Sequence, residues 1–410
     1  MKIAVIGGGA GGLISAGFAA KNGAEVTLFE KNEKIGKKIY ITGKGRCNVT
    51  NDCEVKDFLS KVVNNSKFLT GSLYSFTPRE LMELIESEGV RLKVERGNRV
   101  FPESDKASDI IKALERFTKE NGVRIRLKTS VKDIIKKNGK FIVVTDNDNT
   151  EFDKVIIATG GLSYKSTGST GDGYNFAKKF GHTIIEPRPA LVSILLKDDF
   201  VKNVEGLALK NVTLTAFADG KKICSQFGEM LFTKNGISGP IVLTTSSMIN
   251  RLLHSNITLK LDFKPALSYE LLENRILRDF KNNLNKSISV ILCGLLPKNF
   301  VPILLKKAGM DAYVKANSVT KEERKDLIEL LKKFPLSFDD LESIDTAVVT
   351  AGGVNVAEIN PKTMESKLIN NLYFAGEVID ADAFTGGYNL QIAFSTGFTA
   401  GNSCAQDKNR

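Results

Sequence analysis

The run KIAVIGGGAGGLISAGFAAKNGAEVTLFE, from Lys2 to Glu30, constrains the fold more than any other stretch of this chain. A short β-branched strand, KIAVIG, is broken by glycines. A small-residue helix, LISAGFAAKNG, follows and stops at Gly23, and a second strand, EVTLFE, starts at once. Gly7, Gly9 and Gly12 form G-x-G-x-x-G: the first allows the tight turn, the second admits a pyrophosphate to the backbone, and the third lets helix and strand pack closely. Ala10 and Gly11 complete the helix start, whose free amides and positive dipole end suit phosphate. Glu30, 18 residues beyond Gly12, ends the second strand where a ribose would be bound. The unit predicts an adenine dinucleotide site.

Composition narrows the setting. The 410 residues are 42% apolar and 26% charged, which describes a globular protein of two or three domains rather than a disordered chain. The net charge of +11 favours anionic partners, but spread over this length it reads as solvated surface, so nucleic acid is not the expected partner. Five scattered cysteines without C-x-x-C pairs, and only two histidines, supply neither a zinc site nor a disulfide framework. The uncharged run after Lys2 holds too many glycines for a signal peptide, and no other apolar stretch is long enough to span a bilayer. The expected setting is the cytoplasm, without membrane or metal. Two sequons, at Asn48 and Asn64, then carry no meaning, and the loop TGKGRCNVTN (Thr42–Asn51) lacks the order of a P-loop.

Glycine-rich signals return twice. KVIIATGG (Lys154–Gly161) is a buried strand ending in a turn at Thr159, Gly160 and Gly161, and STGSTGDGYNFAKKFG opens a helix near Gly171-Asp172-Gly173. Near the C-terminus NLYFAGEVID is a further strand, and TGGYNLQIAFSTGFTAG is a glycine turn opening a closing helix. A nicotinamide dehydrogenase would instead continue with alternating strands and helices into a catalytic domain. The agreement of three boxes points to FAD, bound by the first and last segments together.

The blocks KIGKKIYITGKGRCNVTN, RVFPESDKASDI, GEMLFTKNGISGP and AGGVNVAEINPKTMESKLINNLYFAGEVIDADAFTGGYNLQIAFSTG resemble the signature blocks of the BaiN/YhiN-like FAD-dependent oxidoreductases, also described as aminoacetone-oxidase-like, and ATGG with GSTGDGY is more distantly similar to fumarate-reductase-type flavoproteins. The resemblance implies an α/β fold: a Rossmann-type FAD-binding domain with an inserted β-rich domain and a helical lobe. It points to Thr42, Gly43, Arg46, Cys47 and Asn48 as cofactor-lining; by their chemistry Lys37, Lys38, Lys44 and Arg46 are available to offset diphosphate charge and Gly43 and Gly45 permit close approach, and Lys31 is expected at the same site. It places Val131 beside the adenine, and Gly376, Glu377 and Asp380 near the ribityl chain. Gly386, Gly387, Tyr388 and Asn389, followed by Gln391 and Ile392, would present helix amides to a reduced flavin ring. Cys47 is expected to pack rather than react.

Residues 1–189 and 345–410 are assigned to the FAD domain, 190–262 and 320–344 to the inserted β-rich domain, and 263–319 to the helical lobe. LVSILL, NVTLTAFA, KKICSQ and NITLKLDF read as strands, whereas SYELLENRILRDFKNNL, KNFVPILLKKAG and KEERKDLIELLKKF have helical periodicity. A substrate pocket is expected between inserted and cofactor domains, with NGISGP as a turn lining it. The expected function is hydride transfer between flavin and a small, fairly apolar substrate. Reduction of an activated C=C bond with NAD(P)H as transient donor is one form, since BaiN-like members resemble reductases of steroid-type acids. Oxidation of an amine or aminoketone by oxygen, or a flavin-containing RNA-binding protein without turnover, are the alternatives. No residue is assigned as catalytic.

Overall fold

The predicted N-terminal unit forms as β1 (Lys2–Ile6), α1 (Ala10–Lys21) and β2 (Glu25–Phe29), followed by the short helix α2 (Lys37–Ile41). Further along come α3 (Ala107–Glu120), β3 (Arg124–Arg126), a meander of β4 (Val131–Lys137), β5 (Lys140–Thr145) and β6 (Asn149–Phe152), then β7 (Lys154–Ile157), α4 (Asp172–Lys179) and β8 (Ile184–Ala190). The chain returns after a long insertion as β9 (Val349–Val354), β10 (Leu372–Phe374) and the closing helix α5 (Tyr388–Ala405). These elements are taken from a computed structural model, which describes residues 1–406.

Five strands make one parallel sheet in the order β10–β7–β1–β2–β3. From β1 the chain winds outward through β2 to β3, and only then crosses back to β7 on the other side. The order therefore reverses between β1 and β7, and a crevice opens at the carboxyl ends of those strands, where α/β sheets bind ligands. The strands read as continuous apolar runs because both faces are covered: Ile3, Val5, Val155 and Ile157 are all fully buried.

Helix α1 is buried almost all round, as expected for a helix lying between a sheet and other helices. Its glycines set how close those helices come. A methyl group on Gly17 would lie 2.3 Å from the Phe117 ring of α3. On the α5 side, a Cβ at Gly397 would lie 2.5 Å from the Gly11 carbonyl oxygen, and one at Gly401 would lie 2.4 Å from that of Ser15. The two helices thus touch backbone to backbone over two turns. Beyond that contact, Phe18 meets Phe398 edge-on at 4.6 Å, and Phe76 stacks on Phe398 at 4.7 Å.

Chain contacts divide the molecule into two units, one from Met1–Ala190 together with the chain from Ile344 onward, the other Leu191–Ser343. The second unit is a seven-stranded antiparallel sheet, in the order Phe334–Leu336, Ile257–Asp262, Ala208–Ala218, Lys221–Thr233, Gly236–Ser238, Ile194–Leu196 and Phe338–Leu341. Phe232, Phe263, Phe300 and Phe334 form its aromatic core.

Three segments differ from the sequence reading or from the layer to which it assigned them. Pro240–Ile249 is a helix inside the stretch assigned to strands. Gly239, at φ +103°, turns the chain and Pro240 occupies the first helical turn, so local capping outweighs the β-branched composition. Lys321–Lys333 is a helix closed by a reciprocal Thr320–Glu323 capping box, so helix extends past residue 319 into the segment grouped with the sheet. NGISGP is a strand, Gly236–Ser238, leading into a helix start rather than a free turn.

The glycine contact between α1 and α5 yields a first prediction. Gly401→Val places carbon against a backbone carbonyl that has nowhere to move, so it should cost about 2 kcal/mol or more. The expected result is a lower Tm in thermal unfolding than for a surface change such as Lys140→Gln.

Candidate functional site

The glycine turn sits at the strand reversal. Gly7 (φ +108°) ends β1 so close to β7 that a Cβ would lie 2.5 Å from the Ala158 carbonyl oxygen. Gly12 is tighter still: its Cβ would fall 1.8 Å from the Gly7 oxygen. Gly9 is different. It has φ −87°, open to any residue, and no protein atom lies within 4 Å of where its Cβ would be. Neither strain nor packing asks for glycine there, so the open space beside it fits a group that arrives from outside and meets the backbone directly. That space lies at the start of α1, where Ala10, Gly11 and Gly12 have helical amides without intrahelical acceptors and Gly9 supplies no side-chain cap.

Glu30 closes one side. Its carboxylate accepts from Gly8 N at 2.8 Å and from the Asn32 backbone and side-chain amides at 2.8 and 2.7 Å. Thr129 N donates to the Glu30 carbonyl at 2.9 Å, which draws the segment leading into Val131, the first residue of β4, past the end of β2. The Thr167–Asp172 segment covers the same edge: Asn32 donates to the Thr167 carbonyl, and Lys31 Nζ binds Asp172 at 2.8 Å and Thr170 at 2.5 Å. Lys31, expected at the cofactor site, is thus paired within the protein.

A second polar cluster lies where α2, the end of β7, β9 and Gly376–Val378 meet. Lys38 Nζ donates to Glu377 and to Ser163 Oγ, both at 2.9 Å. The other Glu377 oxygen accepts from Thr350 N at 2.8 Å and Ser163 Oγ at 3.0 Å. Thr350 Oγ1 in turn accepts from the Leu162 and Ser163 amides. Burial acts to raise the Glu377 pKa, but the Lys38 ammonium and these hydrogen bonds outweigh it and hold the carboxyl below the ordinary carboxylate range. Gly161 is glycine because a Cβ would lie 2.5 Å from Thr350 Oγ1. Gly160, at φ +74°, completes the turn after Thr159, whose buried hydroxyl has no hydrogen-bond partner. Ser163 and Thr350 were not singled out from sequence. Thr350 lies 27 positions from Glu377, and no spacing rule joins them.

The loop Thr42–Asn51 behaves as an anchor for α5. Thr42 Oγ1 donates back to the Lys38 carbonyl, and Gly43, Lys44 and Gly45 all take left-handed φ values. Asn48, with its amide oxygen toward Gly387 N at 3.0 Å, donates to the Thr50 and Val100 carbonyls. Thr50 Oγ1 donates to Gln391 at 2.6 Å, and Asn51 Nδ2 donates to the Gly386 carbonyl at 3.0 Å. Gly387, at φ +96°, is required because a Cβ would lie 2.3 Å from the Thr50 oxygen.

Several expected cofactor contacts are taken up by protein partners. The Arg46 guanidinium binds Glu95 and Asp105 and lies 4.2 Å over the Phe101 ring, so its charge is already matched. Gln391 is fully buried and divides its amide between Thr50, the Phe76 carbonyl and Ser395. Asn389 brackets Ala383 and Phe384 through backbone hydrogen bonds. Asp380 accepts from Asn64 and Asn65. Tyr388 packs edge-on against Phe58 at 5.0 Å, and burial pushes its phenol up to about 12. Ile392 is buried one turn further along α5. Cys47 is fully buried, and that burial pushes its thiol up to about 12, so at neutral pH it is an uncharged packing group. Gly376, at φ +76°, donates to Thr396 Oγ1 and sits against Gly11.

The glycines separate experimentally. Gly9→Val should weaken FAD binding at least about a hundredfold, roughly 3 kcal/mol, while leaving the Tm of the cofactor-free protein unchanged. Gly12→Val should instead lower that Tm or prevent folding. Isothermal titration beside thermal melting distinguishes the two. For the thiols, iodoacetamide near neutral pH should modify exposed Cys293 in the native protein and spare Cys47, read by peptide mass mapping.

Comparison with known proteins identifies the family. Residues 1–403 match the HI0933-like protein Rossmann domain family. The chain is 33% identical to a 3-dehydro-bile acid delta(4,6)-reductase of Clostridium scindens, covering 99% of both chains. It is 31% identical to a ribosomal RNA dihydrouridine synthase of Haemophilus influenzae, covering 98% of both. Among solved structures, the fold is similar to a 3-ketosteroid-delta4-(5alpha)-dehydrogenase from Rhodococcus jostii, at TM-score 0.53 and 16% identity over 99% of this chain and 96% of that one. A flavocytochrome c3 fumarate reductase gives the same TM-score at 18% identity, over 98% of this chain and 78% of that one. The chain belongs to the HI0933-like Rossmann-domain family and is an FAD-dependent oxidoreductase.

Proposed function

We propose that this protein is a reductase that saturates a carbon–carbon double bond conjugated to a carbonyl, with NAD(P)H as electron donor. The observation that carries this reading is the pair of full-length relatives: one is named for reducing a bile acid, the other for making dihydrouridine in ribosomal RNA. Those substrates share little but a ring in which a C=C bond is conjugated to a C=O group. Addition of hydride at the far carbon sends charge to the carbonyl oxygen, and a proton completes the saturated bond.

FAD supplies the hydride when bound. The chain's own residues divide the remaining work. The amides at the start of α1 take the diphosphate, and the open face of Gly9 lets it approach. Glu377, kept ionised by Lys38, offers a carboxylate to hydroxyl groups of the cofactor. At α5 the Gly387 amide is already matched by Asn48, which alters the sequence expectation for that turn. The first-turn amides of α5 beyond it remain the donors toward negative charge on the ring.

The test is anaerobic. NADH or NADPH should bleach the oxidised flavin band, and a 4-en-3-one steroid or a uridine-containing ribosomal RNA transcript should restore it. If neither nicotinamide bleaches the flavin while an amine or aminoketone does, the protein is an oxidase and this reading fails.

A further inference from the structure

The +11 charge is not spread evenly over this molecule. From residue 280 to 310 the chain carries five lysines and no acid. Lys281, Lys286, Lys298, Lys306 and Lys307, with Lys315 just beyond, are all exposed in the second unit. Among the described residues none of the six has a carboxylate within ion-pair distance. Some lysines elsewhere are matched: Lys31, Lys38, Lys93, Lys140 and Lys179 each sit 2.5 to 2.9 Å from an acid.

The fold gathers this uncompensated charge. The segment after the helix Tyr269–Lys281 runs antiparallel to 312–317: Ile288 N donates to Val314 O, Ala316 N to Lys286 O and Asn317 N to Leu284 O. That pairing sets Lys286 beside Ala316 and Lys315 beside Ser287, with Tyr313 two residues before Lys315 on the same strip. The helix Val301–Ala308 ends at Lys306 and Lys307, four to five residues before Asp311 turns the chain into the same strip. Tyr313 is 83% exposed, the most exposed large apolar side chain described. Asn282, Asn285, Asn299 and Asn317 are exposed among these lysines and add amide donors and acceptors.

Lysines at two helix C-termini also satisfy helix dipoles, which accounts for Lys281, Lys306 and Lys307. It does not account for Lys286, Lys298 and Lys315, or for a tyrosine in solvent two residues before Lys315. A membrane surface would call for a helix with its apolar face outward. Here Leu272, Ile276 and Phe280 of one helix, and Val301, Leu304 and Leu305 of the other, point into the unit, while the exposed Leu271, Leu277, Leu284 and Val290 make a lipid surface the alternative that the test has to exclude.

We propose that this lobe is a docking surface for single-stranded RNA, with the lysines on phosphates and Tyr313 stacked on a base. The proposal rests on the reductase reading, because it supplies the polymer that carries a uracil-type double bond. Sequence weighed the charge as an average and so set nucleic acid aside; its concentration on one lobe gives it a partner.

The test uses the full chain loaded with FAD, and protein-free ribosomal RNA and a short single-stranded RNA as probes. Binding should weaken steeply with salt. The triple variant Lys286→Gln, Lys306→Gln, Lys315→Gln should lose at least about tenfold in affinity, and its slope of log affinity against log salt should fall by about 2. Tyr313→Ala should lose roughly five- to a hundredfold with the slope unchanged. Both variants should keep wild-type FAD content and nicotinamide bleaching, which separates failure at this surface from failure of the reductase chemistry. Wild-type affinity and slope in the triple variant would overturn the proposal. So would wild-type protein that binds phosphatidylserine vesicles but neither RNA.

Discussion

Helices α1 and α5 come from opposite ends of the sequence, yet their backbones touch at Gly11 with Gly397 and at Ser15 with Gly401. Every other feature of the cofactor unit is referred to that contact. With side chains at those positions the helices would move apart by a layer of atoms, and Gly376, held between Gly11 and Thr396, would lose its place. The start of α1 and the start of α5 both present first-turn amides without intrahelical acceptors. The separation of those two helix starts is therefore fixed by helix packing rather than by loops.

A second constraint is that most fixed charge near the site is already matched. Lys31 with Asp172, Arg46 with Glu95 and Asp105, and Lys38 with Glu377 leave few free cations facing the glycine cradle. The cradle itself therefore offers mainly backbone dipoles, whose direction costs no side-chain ordering. Matched pairs serve a different purpose. They tie α2 and the Thr42–Asn51 loop to strands distant in sequence and hold the cradle open.

What was legible in the sequence was local. The strand, turn, helix and strand from Lys2 to Glu30 could be read from their order and glycine spacing, although Gly7, Gly11 and Gly17 answer to Ala158, Ala393 and Phe117, far along the chain. Cys47 was legible as a packing group because it had no partner thiol, and its burial agrees. The roles of Arg46, Gln391 and Asn389 were not legible. Arg46 finds its acids 49 and 59 residues away, and Gln391 meets Thr50 across 341 positions, so composition at either end gives no sign of the bond. The helix Lys321–Lys333 shows a third kind of miss: its periodicity was plain, but which layer it joined depended on tertiary packing.

The inserted unit lacks these constraints. Its sheet is closed by its own aromatic core, and its elements meet none of the glycine contacts that hold α1 to α5. Surface change there leaves the cradle at Gly9 and the Lys38–Glu377 pair untouched. A fold divided in this way can keep one cofactor chemistry while the presentation of substrate diverges. The two full-length relatives fit that division, since a steroid acid and a nucleotide in ribosomal RNA differ in size and charge far more than in the bond at issue. Exposed lysines in that unit can be gained or lost at little cost in stability, whereas a side chain at Gly397 or Gly401 meets backbone.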